Sequence, residues 1–211
     1  MKRNLFIALE GIDGSGKSTQ IKILNDKLTA DGHKVYATFE PTDGIVGTVL
    51  RNIFKGDISA DHRVIAGLFV ADRLDHLLNE SNGIMKKLAE GYTVITDRYY
   101  FSSYAYHSVY MDMEWVIKAN AMSAQILRPD LNVFIDVSPE ISMNRINLNR
   151  KSVELYESLE NLKAVKDKYE EAFERLKHVE KIARIDGDRS VEEIAKDIWE
   201  RIATLNSKQR K

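Results

Sequence analysis

Cysteine is absent from the chain, which excludes disulfides, thiolate-held metals and a cysteine nucleophile. Proline is nearly absent as well: only Pro41, Pro129 and Pro139 punctuate 211 residues. No repeat and no serine- or glycine-rich linker divides the chain, so residues 1–211 read as one domain, long enough to bury a full core. Neither sign of charge is in excess. With 31 Lys and Arg against 32 Asp and Glu, there is no broad electrostatic footprint for nucleic acid or for an anionic membrane. Long apolar runs are also missing: charges interrupt every apolar stretch, so no signal-like or membrane-spanning segment is expected and the chain is read as soluble and cytoplasmic. Any recognition of an anion must therefore be local.

One local feature has that character. Gly11-Ile12-Asp13-Gly14-Ser15-Gly16-Lys17-Ser18 follows an apolar run at residues 5–9 and fits the pattern G-x-x-x-x-G-K-[ST] without a gap. The glycines let backbone N–H groups close around a polyphosphate, the lysine ammonium reaches its outer oxygens, and the serine hydroxyl ligates Mg2+. Gly11 through Ser18, together with Thr19, are expected to bind a nucleoside triphosphate. A helix should begin at Thr19, with Ile21, Leu24 and Leu28 on its apolar face and its positive end toward the anion.

Short apolar runs at residues 5–9, 35–39, 93–96, 133–137 and 181–185 read as strands. Helical patterns lie between and after them, at 19–28, 61–88, 113–127, 153–179 and 190–205. Ser190 and Glu193 form a capping box at the start of the last of these, and Val191, Ile194, Ile198 and Ile202 make its buried stripe. Strand alternating with helix predicts an α/β fold, a five-stranded parallel sheet with helices on both faces. Ligands of such sheets bind at the carboxyl ends of the strands, where Glu40-Pro41 and Asp97-Arg98 fall beside the glycine-rich loop. The charged tail, residues 206–211, is expected to fray.

These motifs together resemble the thymidylate kinase family of nucleoside monophosphate kinases. The resemblance runs from about residue 5 to about residue 199 and rests on Leu9-Glu10-Gly11 through Gln20, Glu40-Pro41-Thr42-Asp43-Gly44, Leu68-Phe69-Val70-Ala71-Asp72-Arg73, Asp97-Arg98-Tyr99 with Ser102-Ser103 and Ala105-Tyr106, and Arg128-Pro129-Asp130-Leu131. It implies the P-loop fold of nucleoside monophosphate kinases with a short helical lid at about residues 143–155. It also implies ATP as donor, Mg2+ as cofactor, transfer of the γ-phosphoryl group to dTMP on the route to dTTP, and a homodimer. Such chemistry needs no protein nucleophile, because an acceptor phosphate oxygen attacks; catalysis is alignment and charge stabilisation.

The resemblance assigns roles residue by residue. Lys17, Asp97 and Arg98 become catalytic, with Arg145 and Arg150 as the lid arginines. Ser18 and Asp97 would hold Mg2+. The acceptor site would draw on Glu40, Pro41, Arg51, Ser102 and Ser103, with Phe69 against the thymine ring, Arg73 at its carbonyl edge, Asp13 at the 3′-hydroxyl and Tyr106 crowding the 2′ position. The alternative for Phe69 is a plain core stripe with Ile65 and Leu68. Some members carry an arginine inside the phosphate loop where this chain has Gly14; its absence here moves the expected catalytic charge to Arg145 or Arg150. Two further departures are Phe39 in place of an arginine before Glu-Pro, and His107 in place of a glutamine. His107 reads either as a pocket residue or as an ordinary surface histidine. Rival readings are a kinase of another nucleotide or of a deoxynucleoside, and a GTPase switch. The switch lacks support because no Asn-Lys-x-Asp motif is present.

Overall fold

The computed structural model describes residues 4–149, 156 and 158–207 of the chain. Five strands, β1 (Phe6–Glu10), β2 (Lys34–Phe39), β3 (Tyr92–Asp97), β4 (Leu131–Asp136) and β5 (Ile182–Asp186), form one sheet in the order β2-β3-β1-β4-β5. Every adjacent pair is parallel. Parallel neighbours need crossover connections, and helices supply them. Strand pleat sends alternate residues of β1 to opposite faces. Ile7 and Leu9 join a core with Leu24 and Leu28 of α1 (Lys17–Ala30) and Ile194, Ile198 and Ile202 of α10 (Val191–Ser207). Phe6 and Ala8 join the opposite core, built from α5 (Tyr100–His107) and α9 (Leu159–Leu176).

Register fixes where the chemistry lies. Asp97 is opposite both Leu9 and Phe39, and Leu9 is opposite Val133, so the carboxyl ends of β1, β2, β3 and β4 open on one edge. Glu10, Glu40 and Asp97 all sit along that edge.

Several helices differ from the sequence expectation, each for a local reason. The stretch 61–88 is two helices, α3 (His62–Leu78) and α4 (Ile84–Ala89). Asn79 ends α3 and its Oδ1 accepts Ser81 N and Asn82 N, while a Cβ on Gly83 would lie 2.5 Å from Asn79 O. A continuous helix cannot form through that turn. Stretch 113–127 likewise divides into α6 (Met113–Ala119) and α7 (Ala121–Ile126) at Asn120, whose side chain is buried and pulled toward Arg73. The helix expected from residue 153 begins at Leu159, capped by Ser158 Oγ on Asn161 N; residues 150–155 and 157, including much of the expected lid, lie outside the described residues. The tail expected to fray from residue 206 begins in helix, since α10 continues through Ser207.

Two helices were not expected, α2 (Ile45–Phe54) and α5; a third, α8 (Pro139–Asn149), overlaps the start of the expected helical lid but begins before it. All eight residues of α5 are buried, so it has no polar face for periodicity to reveal.

Candidate active site

Gly11, Gly14 and Gly16 have φ of 149°, 76° and 94°. These are conformations that glycine adopts without a Cβ penalty, and they wind the loop around its own centre. Helix α1 starts immediately after, at Lys17, two residues earlier than expected, so its free N–H groups face the loop. Lys17 Nζ donates to Gly11 O and Ile12 O, both at 3.1 Å. Burial, with Arg98 nearby, lowers the Lys17 ammonium to about 8. Ser18 Oγ donates to Asp97 Oδ2 at 2.9 Å, and Asp97 Oδ1 is buried with no partner among the described residues. A hydroxyl, a carboxylate and an unspent carboxylate oxygen suit a hard cation that keeps several waters, so Ser18 and Asp97 fit Mg2+. No cluster of three His, Asp or Glu able to hold a metal occurs among the described residues.

Two cavities meet over this edge. The larger, about 800 Å3, is walled by residues 13–21, Asp97, Arg98, Arg145, Ile146, Arg189, Val191 and Ile194. The smaller, about 230 Å3, is walled by Pro41, Arg51, Phe54, Phe69, Ser102, Ser103, Tyr106, His107 and Tyr156. Asp13, Phe39 and Arg98 line both. At the junction Arg98, itself at φ 71°, donates from Nη1 to Gly11 O and Ser102 Oγ (3.0 Å each) and from Nη2 to Asp13 Oδ1 (2.5 Å) and Tyr106 Oη (3.1 Å). Tyr106 Oη also donates to Asp13 Oδ2 at 2.9 Å. A non-glycine residue at positive φ is held there by its surroundings, here a guanidinium locked from four sides.

Behind the junction Glu10 is fully buried. Ser102 Oγ donates to its Oε2 at 2.6 Å, Tyr169 Oη to the same oxygen at 3.0 Å, and Tyr99 N to Oε1 at 2.9 Å. Desolvation outweighs these bonds and raises its carboxyl to about 7.

The smaller pocket brings together most of the residues expected there. Phe69 is a wall and also packs on Phe54 and on His107, with ring centroids 6.0 and 5.2 Å apart. His107 is a pocket residue, not a surface one: 2% exposed, with its ionisation lowered to about 3 by burial and by the Arg73 charge, it is neutral near pH 7. Arg51 reaches the pocket while donating to Pro41 O at 3.0 Å, to Thr42 O and to Thr48 Oγ1.

Arg73 departs from expectation. Instead of presenting a free edge, its guanidinium lies behind the pocket wall, 1% exposed, with every N–H engaged: Nε and Nη2 on Glu40 Oε2 at 2.9 and 2.6 Å, Nη1 on Ser103 Oγ and Asn120 Oδ1, Nη2 on Tyr99 O. Glu40 accordingly holds Arg73 and borders the larger cleft, leaving the smaller pocket to Pro41. Arg145 lines the larger cleft and donates from Nη2 to Gly187 O at 3.0 Å. Arg150 lies outside the described residues. Sequence reasoning missed Phe54, Tyr156 and Asn120, none of which falls in a motif; Glu10, inside one, had no role assigned.

The family model for thymidylate kinase matches residues 9–198, most of the chain. The chain belongs to the thymidylate kinase family. As a member, the protein is an enzyme, a phosphotransferase. A protein of Pyrobaculum aerophilum named "Probable thymidylate kinase" is 40% identical over 203 residues, covering 93% of this chain and 95% of its own. Similar proteins carrying the same name occur in Methanocaldococcus jannaschii, 37% identical over 174 residues with coverage of 82% and 84%, and in Pyrococcus horikoshii, 36% over 205 residues with 93% and 94%.

Proposed function

We infer that the larger cleft holds the phosphoryl donor and the smaller pocket the acceptor, and that the protein phosphorylates thymidine 5′-monophosphate with ATP, giving dTDP and ADP. The observation that carries this division is the shared junction: Asp13, Phe39 and Arg98 line both cavities. A transfer between two bound phosphates needs such a meeting point, with reacting atoms held about 3–3.5 Å apart. The phosphate loop and the start of α1 bind the donor's β- and γ-phosphates, and Lys17 turns from the Gly11 and Ile12 carbonyls to the phosphate oxygens. An acceptor phosphate oxygen attacks the γ-phosphorus, the bond to the β–γ bridging oxygen breaks, and its electron pair leaves with ADP. Arg98 stabilises charge at that centre, with Arg51 on the acceptor phosphate; a planar guanidinium fork matches phosphate oxygens. Ser18 and Asp97 would hold Mg2+, whose charge would offset that of the donor phosphates. The base rests against Phe69, Tyr106 and His107, in the apolar part of the pocket.

Two arginines lining the smaller pocket, Arg51 and Arg98, favour a phosphorylated acceptor over a free nucleoside. A coupled assay of ADP formation across dTMP, dUMP, dGMP, dCMP and thymidine tests the reading. The highest kcat/KM is expected with dTMP. Turnover confined to thymidine would overturn it, because the acceptor would then be a hydroxyl.

The protein is further proposed to act as a homodimer in the cytoplasm. Leu78, Met85, Trp115 and Met122, exposed on α3, α4, α6 and α7, support the dimer, since α3 packs against each of the other three helices. For the compartment, no helix among the described residues is long and apolar enough to cross a membrane.

A further inference from the structure

One buried titratable side chain, His76, belongs to neither cavity wall. It lies on α3 three residues after Arg73, so both side chains leave the same face of the helix. Its ring is 6% exposed, with Nδ1 3.1 Å from Glu40 Oε1 and Nε2 2.7 Å from Thr38 Oγ1. A carboxylate oxygen accepts, so Nδ1 carries a hydrogen, and Nε2 lies within hydrogen-bond distance of the Thr38 hydroxyl. The division of labour on Glu40 is notable. Both Arg73 contacts land on Oε2, which leaves Oε1 to His76. Arg73 then reaches Ser103 Oγ, a wall of the smaller pocket, and the Tyr99 carbonyl at the start of α5. Thr38, at the other end of the chain of contacts, borders the larger cleft.

We propose that His76 is a positioning residue for the acceptor pocket. It fixes the plane of the Glu40 carboxylate, which sets the guanidinium of Arg73, which in turn sets Ser103 and the first turn of the helix carrying Tyr106 and His107. Without His76, Oε1 is buried with no partner, a costly state. The carboxylate relieves it by rotating Oε1 toward Arg73, and the guanidinium shifts its register on Ser103 and Tyr99. The effect belongs to the acceptor side, because Arg73 passes it to Ser103, a wall of the smaller pocket.

This inference rests on the two-cavity reading above, and steady-state kinetics separate the two. For His76→Leu the KM for dTMP is expected to rise at least tenfold, while the KM for ATP and kcat at saturation stay within twofold of the parent. For His76→Gln the dTMP KM is expected to return to within threefold, because a glutamine amide also presents a donor and an acceptor side by side and can span Glu40 and Thr38. Unchanged dTMP KM in folded His76→Leu overturns the proposal. So does a loss shared equally by dTMP and ATP that glutamine does not rescue, which marks a residue needed for folding alone. Should His76→Leu fail to fold, His76→Asn decides: its shorter amide cannot span Glu40 and Thr38 together, so it is expected to raise the dTMP KM about threefold with the ATP KM unmoved, and no change overturns the proposal. A parent protein that uses another nucleotide and not dTMP overturns the functional reading instead, and the same comparison with that acceptor still decides the role of His76.

Discussion

At the scale of single residues, burial sets the chemistry of two ionisable groups that flank the phosphate loop, Glu10 and Lys17. Lys17 is lowered to about 8 by desolvation, with Arg98 contributing, while its ammonium rests on two carbonyls. Phosphate oxygens stabilise the charged form, so donor binding raises its pKa and takes up a proton. The sign follows: affinity for ATP is greatest below pH 8 and declines as pH rises through it. Titration calorimetry at pH 8 in buffers of different ionisation enthalpy should record uptake of about half a proton per ATP, since pH then equals the free-state pKa. Uptake should fall toward zero near pH 6.5 and be absent in Lys17→Met. Glu10 shows the opposite case. Its folded pKa of about 7 stands above the ordinary glutamate value of 4.5, so the folded state keeps a proton that the unfolded chain has lost. Its contribution is fully present below pH 4.5 and is lost as pH rises through 7, a slope of up to about 1.4 kcal/mol per pH unit in that window. Denaturant unfolding of Glu10→Gln at pH 5, 6 and 7 should show a flatter dependence than the parent. Gly14 acts through space alone: a Cβ there would meet Ser142 O at 2.7 Å and Ile146 Cγ1 at 3.0 Å, at a φ of 76°. The loop position that holds an arginine in some relatives has no room for one here.

Elements carry the next level of argument, and α8 is the informative one. It seats directly on the phosphate loop, with Ser142 Oγ donating to Asp13 O and Ile146 against Gly14. From that platform Arg145 enters the wall of the larger cleft and donates to Gly187 O, in the turn between β5 and α10. A guanidinium so placed is positioned to reach phosphate oxygens once it exchanges that carbonyl for them. If Arg145 supplies the catalytic charge missing from the loop, Arg145→Ala lowers kcat by about 10³, the magnitude associated with arginine fingers. A kcat within threefold of the parent in both Arg145→Ala and Arg150→Ala would remove the role from the lid. Helix α5 works differently. Its eight buried residues place Ser102, Ser103, Tyr106 and His107 along one short element, so the smaller pocket, Arg98 and the Glu10 cluster share a single support.

For the molecule as a whole, the exposed apolar side chains of α3, α4, α6 and α7 lead to an association test. Sedimentation equilibrium is expected to give twice the chain mass of 24.1 kDa, and Trp115→Glu with Met122→Glu is expected to give the monomer. A parent that stays monomeric at assay concentration would remove the dimer. Much of the architecture was legible in the chain itself. Five apolar runs and the gapless Gly11 to Ser18 pattern are local signals, since strand propensity, glycine geometry and the lysine-serine ending all act within a few residues. Helix α5 was hidden because burial on all sides erases periodicity, and the breaks at Asn79 and Asn120 were hidden because each depends on where one side chain turns. The role of Arg73 could not be read from its motif, because its partners Glu40, Ser103 and Asn120 come from 33, 30 and 47 residues away. The sequence by itself determined that a triphosphate loop sits at the head of a parallel sheet, because those interactions close within one loop and one strand. Only the tertiary structure decided which arginine faces the pocket, which one braces it from behind, and that two cavities meet at Asp13 and Arg98, because those outcomes depend on side chains that the sheet register brings together from across the chain.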